Sequence, residues 1–247
     1  MITQRHNPAY RLTHNCIKEI MVKKICVLLA LILAVVMTGC GEDNVSTVSV
    51  KSEEEVITSL IEPTVMITVG EYRATGVIVG KDDGRITIYT VAHLMAGYDQ
   101  GIIRFYDGKA GFANVLYCDE KSDVCILTID ISDMDEAYVN DIKTAEINAD
   151  KYDSLNKGDE VYLVGSAVSV AGNVMKATFE ASDYYVPEFD SYLMYLYGDA
   201  FEGMSGSGCY TKEGYLVGLV TGASDTGEVV CIPINEFTKG GQNNDKN

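Results

Sequence analysis

Short apolar runs of five to ten residues, each closed by a turn signal, limit what this chain can become. The first series reads TVMITVG, ATGVIVG, RITIYTVAH, GIIRFYDG, FANVLYCD and DVCILTID. Turn-forming stretches such as Lys81-Asp82-Asp83-Gly84 and Tyr106-Asp107-Gly108 separate its members. A polar segment near residues 131–157 follows, and then a second series: DEVYLVGSAV, NVMKATFEA, SYLMYLYG, GSGCYT, GYLVGLVTG and EVVCIPI. Val, Ile, Thr and Tyr dominate both series, and these side chains suit a pleated, half-buried surface. No long stretch of helical period appears in this part of the chain apart from a short helix expected after His93. Six strands, a connector and six more predict an all-β protein of two six-stranded antiparallel β-barrels, residues 57–145 and 146–237.

The first forty residues stand outside that pattern. From Met21 the chain reads MVKKICVLLALILAVVMTGC, with Lys23 and Lys24 ahead of a twelve-residue apolar core, Ile25–Val36. Twelve apolar residues fall short of the ~20 that cross a bilayer, whereas they suit a signal peptide. The segment resembles a bacterial lipoprotein signal over residues 21–39, with Met37-Thr38-Gly39 leading into Cys40 as the lipidated residue. That resemblance implies a membrane partner through a lipid on Cys40, with the protein held on the extracytoplasmic face of the cell membrane. An uncleaved anchor helix and an ordinary secretory signal are the alternatives. Residues 1–20 read as an upstream extension, with Met21 the expected start. Residues 40–56 are polar and acidic and are expected to form a tether, and residues 238–247 a frayed tail.

Removing residues 1–40 leaves 14 basic and 35 acidic residues, a net charge of −21. No basic face remains for phosphate contacts, so nucleic acid is not an expected partner. Such a surface keeps an exported protein soluble and can draw cationic peptides inward. Besides Cys40, four cysteines follow the signal: Cys118, Cys125, Cys209 and Cys231. None has zinc-ligand spacing, and they fit either buried thiols or one or two disulfides.

Histidine is the scarcest reactive residue. Of His6, His14 and His93, only His93 follows the signal, which excludes a multi-histidine metal site; no metal or other cofactor is expected. Any serine or cysteine nucleophile must then use His93 as its base. His93 ends the apolar run ITIYTVAH, Asp123 enters the run DVCILTID, and Ser205 sits in GDAFEGMSGSGCY, residues 198–210. The order His, Asp, Ser differs from that of the α/β-hydrolases, whose histidine follows the serine. A serine hydroxyl needs an imidazole to take its proton and a carboxylate to orient that imidazole. It also needs backbone N–H donors for the oxyanion. Gly203, two residues before Ser205, is free to turn its N–H towards a substrate, so Gly203 and Ser205 are the expected donors. Ser207 has no such arrangement.

These motifs resemble the chymotrypsin-like (trypsin-fold) serine proteases, and among them the bacterial HtrA/Deg-type trypsin-like peptidases, over residues 57–237. ATGVIVG and TVAH resemble the family's G-[ST]-G strand and T-A-x-H signature. DVCILTID resembles the segment carrying the triad acid, SLNKGDEVYLVGSA the opening of the second barrel, GMSGSG the nucleophile loop, and CIPINEF the terminal run. The resemblance implies a serine endopeptidase acting on polypeptides of the exterior or envelope, with His93, Asp123 and Ser205 as triad and Thr221 beside the buried acid. A non-catalytic trypsin-fold binding or sensor lipoprotein is the alternative, and an unrelated β-rich lipoprotein a third. Ala74 departs from the first glycine of its motif. Met204 stands where digestive members carry an aspartate that receives a newly cut N-terminus, so activation of that kind is not expected. Asp199 and Ala223 are candidates for the first specificity pocket, Asp199 either as an acid for Arg or Lys or as a solvated loop carboxylate. Cys209 with Cys231, and Cys118 with Cys125, are the candidate disulfides. No PDZ domain is expected after Phe237.

Overall fold

Alternating burial closes the first six strands on themselves. The computed structural model describes residues 51–82, 84–166 and 172–244, with side chains as far as Lys239. Cys40 and the whole segment 1–50 lie outside the described residues. Strands β1 (Thr64–Val69), β2 (Tyr72–Asp82), β3 (Arg85–Val91), β4 (Gln100–Arg104), β5 (Ala110–Asp119) and β6 (Val124–Asp130) form a closed antiparallel barrel in the order β1-β2-β3-β6-β5-β4. Its interior is aliphatic, with Ile67, Val77, Ile86, Ile88, Ile103 and Leu127 fully buried. Closure leaves no edge strand to template aggregation.

The second barrel repeats the solution. Strands β7 (Glu146–Ile147), β8 (Glu160–Gly165), β9 (Asn173–Val186), β10 (Ser191–Gly198), β11 (Gly208–Thr211), β12 (Tyr215–Ala223) and β13 (Glu228–Pro233) make one sheet. Its order is β11-β8-β9-β10-β13-β12-β7, and a β11–β12 pairing closes six of the seven strands into a ring. β7 is a two-residue parallel addition to β12. The protein is therefore an all-β double barrel, as the two series of short runs predict.

Helices fill the connections at places where the reading by composition expects none. Helix α1 (Glu53–Ile61) begins inside the expected tether. Ser52 caps it: the Ser52 hydroxyl accepts from the Glu55 N–H, and the Glu55 carboxylate accepts from the Ser52 N–H at 2.8 Å. Val56 and Leu60 are buried, and Glu53 accepts from the Tyr162 hydroxyl at 2.9 Å and pairs with Lys176 at 2.9 Å, which seats α1 on β8 and β9. Helices α2 (Glu136–Asp141) and α3 (Ala149–Asp153) occupy the inter-barrel connector. Helix α4 (Ile234–Asn244) runs past Phe237 into the stretch that composition marks as frayed. Phe237 explains its start: the ring is fully buried and stacks on Tyr89 of β3 at 4.9 Å. A last helix anchored by one aromatic residue thus bridges the second barrel to the first.

Candidate active site

Strand register brings the imidazole to the carboxylate. β3 and β6 pair antiparallel from Arg85↔Asp130 to Val91↔Val124, so the residues just beyond, Ala92 and Asp123, face each other. The Ala92 N–H donates to the Asp123 carbonyl at 3.0 Å, extending the ladder by one step. His93 then opens the 3₁₀ turn Ala92–Met95 and swings its ring over Asp123. A slip of one residue would turn every side chain of β3 to the opposite face and separate the two groups. The β5–β6 turn holding Asp123 is clipped by a Cys118–Cys125 disulfide between directly paired residues, with Cα atoms 4.2 Å apart. Asp123 itself has φ 56°, a left-handed conformation that aspartate tolerates better than most residues.

Asp123 is only 8% exposed, and its carboxylate is fully engaged. Its Oδ1 accepts from the His93 backbone N–H at 2.8 Å, and its Oδ2 accepts from His93 Nδ1 at 2.8 Å. The Thr221 hydroxyl of β12 donates to the same Oδ2. Three donors compensate the desolvation of a buried charge. With Nδ1 protonated to serve that bond, Nε2 is the free acceptor, and it lies 3.1 Å from Ser205 Oγ.

Ser205 comes from the other barrel, in the loop between β10 and β11. Two glycines shape that loop. Gly203, at φ 89°, is the third residue of a turn in which the Met204 N–H donates to the Phe201 carbonyl at 3.1 Å. Positive φ at that position alone makes a type II turn, which favours glycine. Among the described residues, neither the Gly203 N–H nor the Ser205 N–H donates to any acceptor. Met204 is 2% exposed and belongs to the core, so an apolar side chain anchors the loop.

Gly206, at φ 80°, allows the loop to touch the first barrel. A Cβ built there would sit 2.0 Å from the Thr75 carbonyl oxygen and 2.7 Å from Thr90 Oγ1. Gly206→Ala combines that clash with a left-handed backbone, and the two costs together come to about 3 kcal/mol or more. The variant is expected to melt ~10 °C below the parent in a calorimetric scan. Ser207 is fully buried and donates to Thr75 Oγ1 at 3.3 Å, so its hydroxyl faces the interior.

Thr75 of β2 has a part that motif reading missed. Its N–H donates to the Ser205 carbonyl at 2.9 Å, its carbonyl accepts from Thr90 Oγ1 at 2.8 Å, and its Oγ1 accepts from the Ser166 N–H at 3.0 Å and from Ser207. One residue of the first barrel thus holds the serine loop and the end of β8 in the second. The available signal was a polar side chain at a buried position in the run ATGVIVG.

Two cavities adjoin the serine and the histidine. One of about 270 Å³ beside Ser205 is lined by Ala200, Phe201, Met204, Val220 and Ala223, with the exposed Glu202 and Asp225 as its carboxylates. Asp199 is exposed and does not line it. A second, of about 400 Å³, lies against His93, Lys121, Asp123, Phe189 and Thr221. Cys209 and Cys231 are buried thiols rather than a disulfide. Burial and hydrogen bonding to Cys209 push the Cys231 thiol up, away from the thiolate form. No group of metal-ligating side chains occurs among the described residues.

Comparison with known proteins decides the family. The sequence matches the trypsin-like peptidase domain over residues 74–219, more than half of the chain. The chain belongs to the trypsin-like peptidase family. The matched span of this peptidase domain holds Thr75, His93, Asp123, Gly203 and Ser205 and stops short of Thr221. A curated relative, the probable periplasmic serine endoprotease DegP-like of Hahella chejuensis (strain KCTC 2396), is 27% identical over 147 residues. The alignment covers 59% of this chain and 28% of the relative, so the chain spans little more than a quarter of that protein's length. Two structures of the HtrA-type protease AlgW, one with a tripeptide and one with a decapeptide, superpose with TM-scores of 0.65 each. Identities are 20% and 16%, and coverage is 78% of this chain and 63% of the first structure, 79% and 68% for the second. At those identities the likeness is one of fold.

Proposed function

We propose that this trypsin-like peptidase domain is a serine endopeptidase of the cell envelope, with Ser205 as nucleophile, His93 as general base and Asp123 as the carboxylate that orients it. The observation that carries this reading is the continuous relay from Asp123 Oδ2 to His93 Nδ1 at 2.8 Å and from His93 Nε2 to Ser205 Oγ at 3.1 Å. In the first step Ser205 Oγ attacks the scissile carbonyl while Nε2 takes the hydroxyl proton. The imidazolium gains stabilisation from the Asp123 carboxylate, which the Thr221 hydroxyl and the His93 N–H hold in place. The tetrahedral oxyanion accepts from the unpartnered N–H groups of Gly203 and Ser205, and a donor of this kind is worth about 3–4 kcal/mol in comparable enzymes. Nε2 then returns its proton to the leaving amine, leaving an acyl-enzyme on Ser205. Water, deprotonated by the same nitrogen, releases the acid product.

The side chains of Ala200, Phe201, Met204, Val220 and Ala223 beside Ser205 support an apolar residue on the acyl side of the scissile bond, with Glu202 and Asp225 as the carboxylates of the same cavity. Asp199→Asn is accordingly expected to change kcat/KM by no more than about twofold and to leave the order of preferred residues intact, as for other exposed positions. A peptide library cleaved by both proteins reads this directly; a basic preference in the parent that vanishes in the variant would overturn it. An envelope setting is supported by the lipoprotein-like segment ending at Cys40 and by the disulfide, which persists in oxidising compartments. The periplasmic relative points the same way. A fluorophosphonate probe tests the central assignment: one adduct per chain is expected, on the peptide containing Ser205. An adduct on another residue, or none, would refute it.

A further inference from the structure

Next to the cavity beside Ser205 lies a third, of about 510 Å³, distinguished by its aromatic walls. Its walls include Tyr184, Phe189 and Tyr195, and its carboxylates are Glu188 and Glu228. Tyr184 and Tyr195 stack with ring centroids 4.7 Å apart. Glu228 accepts from the hydroxyls of Ser224 at 3.0 Å, Thr226 at 3.0 Å and Tyr195 at 3.5 Å, all of them neutral donors. Among the described residues no lysine or arginine pairs with Glu188 or Glu228. Lys157, within electrostatic reach of Tyr195, is held instead by Glu180 at 2.6 Å.

The cavity continues the reaction cleft. It shares Gly222, Ala223 and Ser224 with the apolar cavity beside Ser205, and Glu188 and Phe189 with the cavity beside His93. Phe189 reaches the cleft because position 222 has no side chain: a Cβ there would meet its ring at 3.1 Å. An extended peptide whose apolar residue enters the first cavity advances ~3.3 Å per residue along β12. Its second and third residues upstream from that one then pass the aromatic walls. Aromatic walls with two carboxylates, and no lysine or arginine among the residues that line this cavity, match a long cationic side chain; Lys121 lines the neighbouring cavity beside His93 instead.

We propose that this cavity is a binding subsite for a lysine or arginine side chain two to three residues upstream of the residue whose bond is cut. The subsite rests on the peptidase reading for its orientation along the cleft, but binding reports on it without turnover. The probes are two labelled peptides of one composition with the same apolar anchor, one carrying two lysines upstream of the anchor and the other carrying them downstream. Their affinities for the Ser205→Ala protein are measured by fluorescence anisotropy at about 0.1 M salt, where charges more than ~10 Å apart are largely screened.

The upstream isomer is expected to bind about tenfold more tightly. Adding Glu188→Gln and Glu228→Gln should remove most of that ratio without changing the affinity of the downstream isomer, since carboxamide oxygens can still accept the Ser224 and Thr226 hydroxyls. Phe189→Leu, which keeps an apolar wall but removes the ring face, should reduce the ratio about threefold. Equal binding of the two isomers would show only long-range attraction to an acidic protein and would overturn the subsite. So would a ratio that survives both glutamine substitutions. A missing fluorophosphonate adduct on the unmodified protein refutes the peptidase reading alone, and the binding ratio still decides the subsite.

Discussion

Ser205→Ala and His93→Ala are each expected to lower kcat for peptide hydrolysis by about 10⁶, and the double variant by hardly more. In the proposed mechanism the two side chains act in one step: without Nε2 at 3.1 Å the hydroxyl keeps its proton, and without the hydroxyl the imidazole has nothing to activate. A residual acceleration of roughly 10³ over water should remain, because the Gly203 and Ser205 backbone donors and the cleft are left in place. Single-turnover cleavage of a peptide with an apolar residue at the cut bond measures all three variants. Losses that multiply in the double variant would show that the serine and the histidine work independently, contrary to the relay.

Asp123→Asn is the second large effect, a drop in kcat of about 10⁴ with KM nearly constant. The substitution is a clean test because asparagine, like aspartate, tolerates the left-handed backbone at φ 56°, whereas alanine there would add strain to the chemical loss. The carboxamide can still accept the His93 N–H through one oxygen. It must then turn its NH₂ towards Nδ1, which favours the tautomer with the proton on Nε2 and removes the acceptor that Ser205 needs. Near-native melting with a four-decade loss of turnover is the expected pair of results. A loss no greater than tenfold would mean that Asp123 merely packs against the ring.

Much of this was readable from residue types. Strands alternate visibly where one face is wet, so both barrels show in the runs of Val, Ile and Tyr. A single histidine after the signal-like segment leaves one base, and chain order then selects Asp123 and Ser205. Other features depend on distances that no local pattern encodes. Helix α1 carries a Ser52-x-x-Glu55 capping signal, yet its acidic first turn resembles a tether until Tyr162 and Lys176 are seen to hold Glu53. Asp199 has the spacing of a pocket acid, but spacing does not say which way a loop turns, and the residue faces solvent. Cysteine positions likewise allow several pairings; among the described residues only Cys118 and Cys125, opposite one another across β5 and β6, are joined. Thr75 was the least legible, because its partners Ser166 and Ser207 lie 91 and 132 residues away.

Thr75 has a consequence for when the protein is dangerous to its surroundings. His93 and Asp123 belong to one barrel and Ser205 to the other, and the bonds of Thr75 are part of what seals the seam between them. Loop closures spanning a hundred residues are late and entropically costly events in folding. A newly made chain with its first barrel complete therefore holds an imidazole and an acid but no hydroxyl within reach. On the proposed assignment of His93, Asp123 and Ser205, catalytic competence would require the two barrels to be docked, and opening the seam would abolish it.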